Sequence, residues 1–416
     1  MQRDYNFDAI ISCMKISKLS ISGFCNIQDF QIQLNDFNAL VAPNNYGKSN
    51  VLEGIRFAME FMTTNEDRRM AMMSDAAYIP INNVTSGSPF CFSVELIPEE
   101  GEAQQEYTYS FSFEWAKTDG TDGVYIKDEL LSEVSPDFRR PRTLFKRKET
   151  EKGLYVASPT GRCNKELPVG RQQLVLNLLA LNDTLFFHHV VQKLNSLAMN
   201  MVGTSGFDKQ MLCQFIYNMK EQQPMKYSLF EDAVTHIVPN IRSITPTCSR
   251  LGLTDNNVPY RIEDAIYDMR INEKWNNQDI SISRLSSGSR RIITIIAEIM
   301  KAEMNGASLI CIEELENSVH PKLLENMILM VQAFAEGITV ITTSHSPYLV
   351  RYLKSRQLTF GLPTDEGVAS FHKLKQTRVK TVVRRASAME MTLGEYMFEL
   401  MLNMKPDSDE ITELFD

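Results

Sequence analysis

The sequence predicts an α/β fold with a mixed central sheet flanked by helices, an antiparallel β subdomain and a helical insertion. A strand, a loop and a helix follow one another between residues 37 and 62. Aromatic residues alternate with polar ones between 107 and 115, and strands alternate with helices between 286 and 344. Strand–helix alternation is typical of a parallel sheet covered on both faces, whereas regular alternation indicates strands with one buried face.

The N-terminal 15–42 segment has β character. Apolar Phe30, Ile32 and Leu34 alternate with polar neighbours, which predicts a half-buried strand. A second apolar run ends at Ala42, and the text SNVLEGIRFAMEFM then has helical spacing. The order strand, loop, helix is therefore predicted here.

The 90–160 region predicts antiparallel strands, with the turn text KTDGTDG between two of them. The alternating aromatic positions are Tyr107, Tyr109, Phe111, Phe113 and Trp115. Two stretches, 174–202 and 208–238, are predicted to be helical, and Pro239 is predicted to end the second. The insertion lacks sustained heptads, so no long coiled coil is expected.

The C-terminal half returns to strands and helices in alternation. Residues 258–284 are strand-like, and a helix is predicted from Ser286 to about Met304, ended by Asn305-Gly306. LICIEE and ITVITTSH are predicted strands with a helix after Pro321 between them. The expected divisions are an extension 1–13, an N-terminal lobe 14–170, a helical insertion 171–245, a C-terminal lobe 246–350 and a C-terminal region 351–416.

Composition restricts the class of protein. The chain has 416 residues, 43% hydrophobic, and a net charge of −9, so no overall positive field attracts it to nucleic acid. Its seven cysteines form no C-x-x-C pair, which favours a reducing, cytoplasmic compartment. We find neither a signal peptide nor an apolar run long enough for a membrane span. Met14 directly precedes the first predicted strand, so we expect residues 1–13 to be an extension or a start assigned too early, with Met14 as the other candidate start; an ordered extra strand at AIIS is the alternative.

The first chemical motif is APNNYGKS at 42–49, between a strand and a helix as a P-loop requires. Its backbone N–H groups would surround a phosphate, Lys48 would contact the β- and γ-phosphates, and the Ser49 hydroxyl would bind Mg²⁺. Ala42 stands at the usual first glycine. A turn with a solvated lysine is the alternative. The predicted nucleotide-binding residues of this loop are Asn44, Asn45, Tyr46, Gly47, Lys48, Ser49 and Asn50.

The second motif is LICIEE at 309–314, four apolar residues followed by two carboxylates. At the end of a strand beside a P-loop, Glu313 would bind Mg²⁺, if necessary through water, and Glu314 would act as general base. An acidic, solvated strand end is the alternative.

Two more motifs complete the series. RLSSGSRR opens a helix about twenty residues before LICIEE, and its Ser286, Ser287 and Gly288 would bind the γ-phosphate of a nucleotide held by another subunit. The alternative for Ser286 is an ordinary helix cap. ITTSHS delivers His345 to a strand end, where it would bind the γ-phosphate and orient water. Between the carboxylates and His345 lies LENSVHP, in which Asn317, Ser318 and His320 would form a loop that crosses to the partner's nucleotide site; Asn317 is a predicted nucleotide-binding residue.

These segments together resemble the ABC-type ATPase heads of the RecF, SMC and OLD group. KISKLSISGFCNIQDFQI, E-E-x-E-N-x-x-H-P and T-S-H-S-P carry the resemblance over roughly 14–60 and 280–350. It implies ATP and Mg²⁺ as cofactors and a homodimer or higher homo-oligomer that closes its sites between two subunits. Many members have a basic residue after the phenylalanine of GF, where this chain has Cys25 and Asn26. The family also has a glutamine loop, which should fall near the start of the helical insertion. Gln192 is one candidate for its glutamine.

The resemblance also implies a biological setting. Members of this size with short helical insertions frequently act in bacterial anti-phage defence beside a separate effector, a nuclease or toxin. The stretch after His345 is shorter than the TOPRIM nuclease domain of OLD enzymes. We therefore expect a sensor or regulator that controls an effector on another protein.

Two alternatives remain open: a RecF/SMC-like DNA-binding clamp in repair, and a nucleotide-binding scaffold with little turnover, which Ala42 and Glu313 would allow. DNA binding is suggested by two basic runs, for which a solvated face is the simpler explanation. The first run contains Arg139, Arg140, Arg142, Lys146, Arg147 and Lys148, and the second Lys373, Lys375, Arg378, Lys380, Arg384 and Arg385. The methionine-rich TLGEYMFELMLNM is predicted to be an amphipathic helix, either core or a partner surface.

Overall fold

The computed structural model of the protein describes residues 14–98, 105–116, 124–135, 140–148, 154–157, 164–203, 208–253, 262–403 and 413–416. The 1–13 extension, the KTDGTDG turn and most of the acidic C-terminal text lie outside these ranges. The chain divides into two compact units, the first formed by 1–199 with 337–416 and the second by 200–336.

The described strands are distributed along the whole chain. In order they are β1 Met14–Ser22, β2 Phe30–Gln33, β3 Phe37–Val41, β4 Phe90–Pro98, β5 Glu106–Phe113, β6 Ile126–Val134, β7 Arg142–Lys146, β8 Leu154–Ala157, β9 Asn164–Leu167, β10 Met199–Val202, β11 Ile241–Leu253, β12 Ile262–Glu273, β13 Ile280–Ser281, β14 Leu309–Ile312, β15 Thr339–Ser344, β16 Leu358–Leu362 and β17 Ser370–His372.

The described α-helices are numbered separately, and none of them is long and apolar enough to cross a membrane. In chain order they are α1 Lys48–Thr63, α2 Glu66–Met73, α3 Val175–Leu179, α4 His188–Asn195, α5 Lys209–Gln222, α6 Pro224–Ile237, α7 Ser287–Met304, α8 Pro321–Phe334, α9 Pro347–Val350, α10 Val379–Ala388 and α11 Leu393–Asn403.

The first unit contains an antiparallel sheet of eight strands in the order β2-β1-β4-β5-β6-β7-β8-β9. The aromatic alternation predicted for 107–115 lies on β5, and its alternate positions are buried. Phe61 of α1 stacks on Phe111 and Phe113 of this strand, at 5.1 and 4.9 Å between ring centres. The predicted antiparallel β region is confirmed, and its apolar face packs on the helix that follows the P-loop segment.

A second sheet in the first unit positions the P-loop. β15 and β16 flank β3 and run parallel to it, and β17 pairs antiparallel with β16. β3 is buried along its whole length, as are β15 and β16. Two parallel neighbours bring the carboxyl ends of three strands to one edge, where ligands bind in open α/β sheets.

The second unit combines helices with a three-stranded sheet of order β11-β12-β13. β11 and β12 form a long hairpin, and the short β13 leads into the turn before α7. The predicted helix starting at Ser286 is confirmed as α7, which Ser286 caps, and Gly306 follows it at φ +66°. The helix after Pro321 is confirmed as α8.

The prediction of one helical stretch over 174–202 is wrong in part. Only α3 and α4 are helical there, and Met199–Val202 forms the strand β10 beside β14. The side chain of Asn182 accepts the backbone N–H of Thr184, which favours a turn over a helix. A short apolar segment is compatible with either a helix or a strand, and pairing with β14 selects the strand for Met199–Val202. The 208–238 prediction is confirmed as α5 and α6, which are separated at Pro224.

Candidate functional site

The P-loop segment joins β3 to α1 through a loop with unusual backbone geometry. Asn45 has φ +67° and Gly47, the residue before α1, has φ +85°. Gly47 provides no side chain to cap the helix, so the first-turn N–H groups lack a side-chain cap from this position. Backbone amides at the positive end of a 16-residue helix are an arrangement that binds anions.

Lys48 is buried within this loop, with 7% of its surface exposed. Its ammonium donates to the carbonyl oxygens of Ala42 at 2.7 Å and Pro43 at 2.8 Å. The loop therefore encloses a positive charge next to the N-terminus of α1. This fits a phosphate group, which would be met by a cation and by backbone donors together. Ser49, in the first turn of α1, adds a hydroxyl to the same region.

His345 lies near the start of the P-loop segment within the first unit. The last pair in the register of β15 and β3 is Ser344 with Val41, and the N–H of Ala42 donates to the carbonyl of Ser344 at 3.1 Å. His345 follows at once and its side chain is exposed. The structure thus brings together Lys48 and His345, two residues that the sequence predicts for one reaction, at the same sheet edge.

Asn26 supports the P-loop in a way that sequence reasoning missed. Its side-chain oxygen accepts from the amide of Asn50 at 2.7 Å, and its own amide donates to the carbonyl of Gly367 at 3.1 Å. A Cβ on Gly47 would lie 2.6 Å from that of Ala369, so this segment also packs against the loop. The sequence signal for this role was the departure from the family pattern at GFCN. Many members of the group have a basic residue there, whereas this chain has Asn26, whose side chain bonds to Asn50 of α1.

The two carboxylates of the second unit follow the fully buried strand β14. The N–H of Glu313 donates to the carbonyl of Val202 at 2.9 Å. Glu314 has φ +44°, a conformation that a non-glycine residue adopts at a cost and that is enriched at functional sites. Asn317 holds it twice: its N–H donates to the Glu314 carbonyl at 2.8 Å, and its amide to the carboxylate at 3.4 Å.

Ser286, Ser287 and Gly288 of RLSSGSRR, called here the signature turn, lie at the start of α7. The hydroxyl of Ser286 accepts the N–H of Ser289 at 3.1 Å, so Ser286 does cap its own helix. Ser286 and Ser287 are exposed. A Cβ on Gly288 would lie only 2.3 Å from the carbonyl oxygen of Ser318. The loop after the two carboxylates therefore presses on the signature turn, and this contact requires glycine.

Arg291 connects α7 to the carboxylate strand, and sequence reasoning gave it no role although it lies in RLSSGSRR. Its guanidinium donates to the carbonyl of Glu313 at 2.6 Å and to that of Gly203. Burial lowers the pKa of Arg291, and the neighbouring carboxylates of Glu313, Glu314 and Glu316 oppose that shift. The second unit thus brings the signature turn, both carboxylates and Asn317 into one cluster. Arg291, one turn further along α7, connects that helix to the backbone of Glu313.

Gln192, the glutamine considered from the sequence, lies on α4. Its amide donates to the carbonyl of Ala180 at 3.0 Å and lies 3.0 Å from the ring of His188. These contacts connect α4 to the turn before it. They give Gln192 a local structural role.

Two family models match the chain, and together they contain all four motifs. Residues 14–105, with the P-loop, match "AAA ATPase domain". Residues 175–351, with the signature, the carboxylates and His345, match "AAA domain, putative AbiEii toxin, Type IV TA system". Both models describe ATPase domains, and the chain is an ATPase. Its motifs resemble the ABC-type heads of the RecF, SMC and OLD group.

Similar proteins are known for parts of this ATPase. The retron Ec83 probable ATPase of Escherichia coli is 23% identical over 150 residues, 34% of this chain and 26% of that protein. The match thus spans about a quarter of the relative's length. Among solved structures, the SMC head domain from Thermotoga maritima has 13% identity and a TM-score of 0.43, over 87% of this chain and 99% of that chain. The Smc head domain of Pyrococcus furiosus bound to the C-terminal domain of ScpA has 10% identity and a TM-score of 0.48, over 89% and 99%.

Proposed function

We propose that this ATPase is a homodimeric nucleotide switch that regulates a separate effector in bacterial anti-phage defence. The observation that carries the switch is the packing of the Ser318 loop on Gly288. It couples the general-base carboxylate of Glu314 to the exposed signature turn within one unit. A group that binds at Ser286 and Ser287 would therefore act on the segment that orients Glu314.

Residues of the first unit would bind the triphosphate. Lys48 is already desolvated and would exchange its two carbonyl acceptors for phosphate oxygens. The N–H groups of the loop and the first turn of α1 would donate to the same phosphates. His345, at the adjacent strand end, would donate to the γ-phosphate or accept from the attacking water.

Mg²⁺ bound with the nucleotide would neutralise phosphate charge. Among the residues that the structure describes, no three of the His, Cys, Asp and Glu type cluster closely enough to bind a metal ion by themselves. In nucleotide sites Mg²⁺ binds one or two protein groups besides phosphate and water. The hydroxyl of Ser49 and the carboxylate of Glu313 would hold it, the latter directly or through water.

Residues of the second unit would supply the base and the contact to a partner. Glu314 would take the proton of the attacking water, and Asn317 would keep its carboxylate in position. Ser286, Ser287 and Gly288 would bind the γ-phosphate held by the other protomer. ATP would then join two protomers, and hydrolysis would release them, because nucleotide binds the dimer better than the monomer. The dimer would have two-fold symmetry and two equivalent sites.

The defence role is supported by the similar proteins. One match is to a retron ATPase and one family model carries the name of a putative AbiEii toxin. We propose that the dimeric state controls a nuclease or toxin partner. Co-purification of this chain with the product of an adjacent gene, lost when ATP is omitted, would support it. A binding partner with no effector activity would contradict it.

The switch is tested by Glu314→Gln, which removes the base and keeps the size of the side chain. We expect phosphate release to fall by roughly 10²–10⁴-fold, and sedimentation with ATP and Mg²⁺ to show a persistent dimer. Glu325→Gln, at an exposed glutamate on α8, is the matched control and should behave as wild type. Unchanged turnover in Glu314→Gln would contradict the assignment of Glu314 as the general base. If Glu314→Gln remained a monomer in the presence of ATP and Mg²⁺, the proposed dimer switch would be contradicted.

A DNA-binding clamp is the second candidate, and α10 is the observation that favours it. Its Lys380 and Arg384 are exposed one helical turn apart, and the helix contains no acidic residue. The other basic run is less available: Arg147 donates to the carbonyls of Gln173 and Gly170, and Arg139 lies outside the described residues. Duplex DNA affinity that falls steeply with salt, and falls further in Lys380→Ala, would favour the clamp.

A further inference from the structure

The C-terminal helix α11 contacts both loops of the first unit that carry predicted active-site residues. Near its start it meets Pro347, which follows His345 by two residues. Near its end it meets Tyr46, which precedes Gly47 and Lys48 in the P-loop. None of the four motifs lies on this helix, which the sequence predicts to be either core or a partner surface.

The contact at Pro347 depends on the absence of a side chain. A Cβ on Gly394 would lie 2.1 Å from the carbonyl oxygen of Pro347 and 2.9 Å from its carbonyl carbon. The turn from Ser344 to Ser346 is closed by their own hydrogen bonds, with the N–H of Ser346 donating to the hydroxyl of Ser344 at 3.0 Å. A displacement of Pro347 would therefore move the turn that contains His345.

The contact at Tyr46 is a hydrogen bond to the last turn of α11. The phenol donates to the carbonyl oxygen of Met401 at 3.4 Å. A backbone carbonyl oxygen has two lone pairs, so that of Met401 can accept this outside donor. The bond connects α11 to the backbone that precedes Lys48.

α11 is rigid enough to connect the two contacts. Tyr396, Met397 and Met401 are buried, so the helix is held by its core face. Its start is closed by a capping box, in which the Thr392 N–H donates to the carboxylate of Glu395 at 2.9 Å and the Glu395 N–H donates to the Thr392 hydroxyl at 3.2 Å.

We propose that α11 positions the His345 turn and the P-loop relative to each other, with Gly394 and Tyr46 as its positioning residues. The inference rests on the proposed roles of Lys48 and His345 in ATP hydrolysis. A shift of α11 would then slow the chemical step and leave most of the binding affinity intact, because Lys48 and the amides of α1 would still hold the phosphates.

Steady-state hydrolysis by three variants tests this. Gly394→Ala adds the single methyl that meets Pro347, and Tyr46→Phe removes only the hydroxyl. For Gly394→Ala we expect kcat to fall by about 10- to 100-fold, with KM for ATP within about twofold of wild type. Tyr46→Phe should show a smaller loss of kcat. Leu402→Ala, at an exposed position of the same helix, is the control and should match wild type.

The double variant separates positioning from general damage. Gly394 lies near the start of α11, and Tyr46 contacts its other end through the carbonyl of Met401. Independent distant sites give multiplicative losses. If both act through α11, the double variant should lose less than the product of the two single losses. Multiplicative losses, or a wild-type kcat in folded Gly394→Ala, would overturn the proposal.

Hydrogen exchange with a non-hydrolysable ATP analogue gives a measurement independent of turnover. We expect the analogue to increase the amide protection of 392–401 and of 345–350 in wild type, and to leave 392–401 unchanged in Gly394→Ala. Binding of the analogue without any change in α11 would overturn this proposal alone. Failure of wild type to bind the analogue would overturn the proposed function as well.

Discussion

Gly288 and Ser318 lie so close together that a methyl group on the glycine would be 2.3 Å from the carbonyl oxygen of the serine. Ser318 itself has φ +63°, a left-handed backbone conformation that few non-glycine residues adopt. Both the side chain at 288 and the backbone at 318 are therefore restricted. A shift of the first turn of α7 would therefore displace the loop after Glu314. We infer that the signature turn and the loop proposed to carry the general base are coupled within one unit.

Gly288→Ala should therefore lower ATP turnover strongly. The methyl would displace the Ser318 loop, at a cost in stability of about 1–3 kcal/mol as in other overpacked contacts. We expect kcat to fall and the ATP-dependent dimer to weaken, with ATP binding by the monomer retained. Gly170→Ala is a matched control, since its added methyl meets only the side chain of Gln173, at 3.2 Å. Full turnover in Gly288→Ala would contradict the coupling.

Lys48→Met should abolish stabilisation by ATP. The ammonium holds the carbonyls of Ala42 and Pro43, and its loss leaves buried acceptors unpaired at a cost of about 1–3 kcal/mol. A ligand that binds the native state raises its stability, so ATP with Mg²⁺ should raise the Tm of wild type. In Lys48→Met the Tm should be lower and should not respond to ATP. An equal Tm increase in both proteins would show that the nucleotide binds elsewhere.

Arg291→Met should reduce both stability and turnover. It removes two donors from the carbonyls of Glu313 and Gly203, and lost hydrogen bonds of this charged kind cost about 1.5–3 kcal/mol each before relaxation. The free energy of unfolding is measured in urea, and kcat by phosphate release. Arg284→Met, at an exposed arginine before the signature, is the control. A loss of stability with unchanged kcat would limit Arg291 to a structural role.

We expect Glu129 to make the stability of the first unit depend on pH below and near neutrality. Its buried carboxyl accepts the N–H groups of Val175 and Leu176 and contacts the hydroxyl of Tyr109. Burial raises the pKa of Glu129 from 4.5 to about 7, and these three hydrogen bonds oppose the rise. The folded state then binds more protons than the unfolded state between those values. Stability from this group is thus complete below pH 4.5 and is lost as pH rises through 7.

Tm measured without nucleotide at several pH values tests this. Between pH 5 and 8 the Tm of wild type should decline more than that of Glu129→Gln, which cannot ionise. Arg69 and Arg147 also interact with this carboxyl, and both stay charged over the range, so they do not contribute a slope of their own. Parallel curves for the two proteins would show that Glu129 does not titrate there.

Several features of the fold follow from sequence periodicity. The alternation on β5 predicted a sheet with one buried face, and the serine, glycine and proline signals near 286, 306 and 321 predicted the ends of α7 and the start of α8. The strand β10 was missed because Met199–Val202 carries no alternation that separates strand from helix. Its identity depends on β14, which lies more than a hundred residues away in the chain.

Local sequence determined which residues have the chemistry of an ATP site: a lysine, a serine, two glutamates and a histidine, each in text that specifies a strand end or a helix start. Only the tertiary structure decided what supports them. Three of these supports are contacts between separate segments: Asn26 with Asn50 of α1, Arg291 with the carbonyl of Glu313, and Gly394 with Pro347. Hydrophobic periodicity and helix capping depend on residues a few positions apart in the chain. These contacts form only when separate elements pack together, and therefore no sequence motif predicts them.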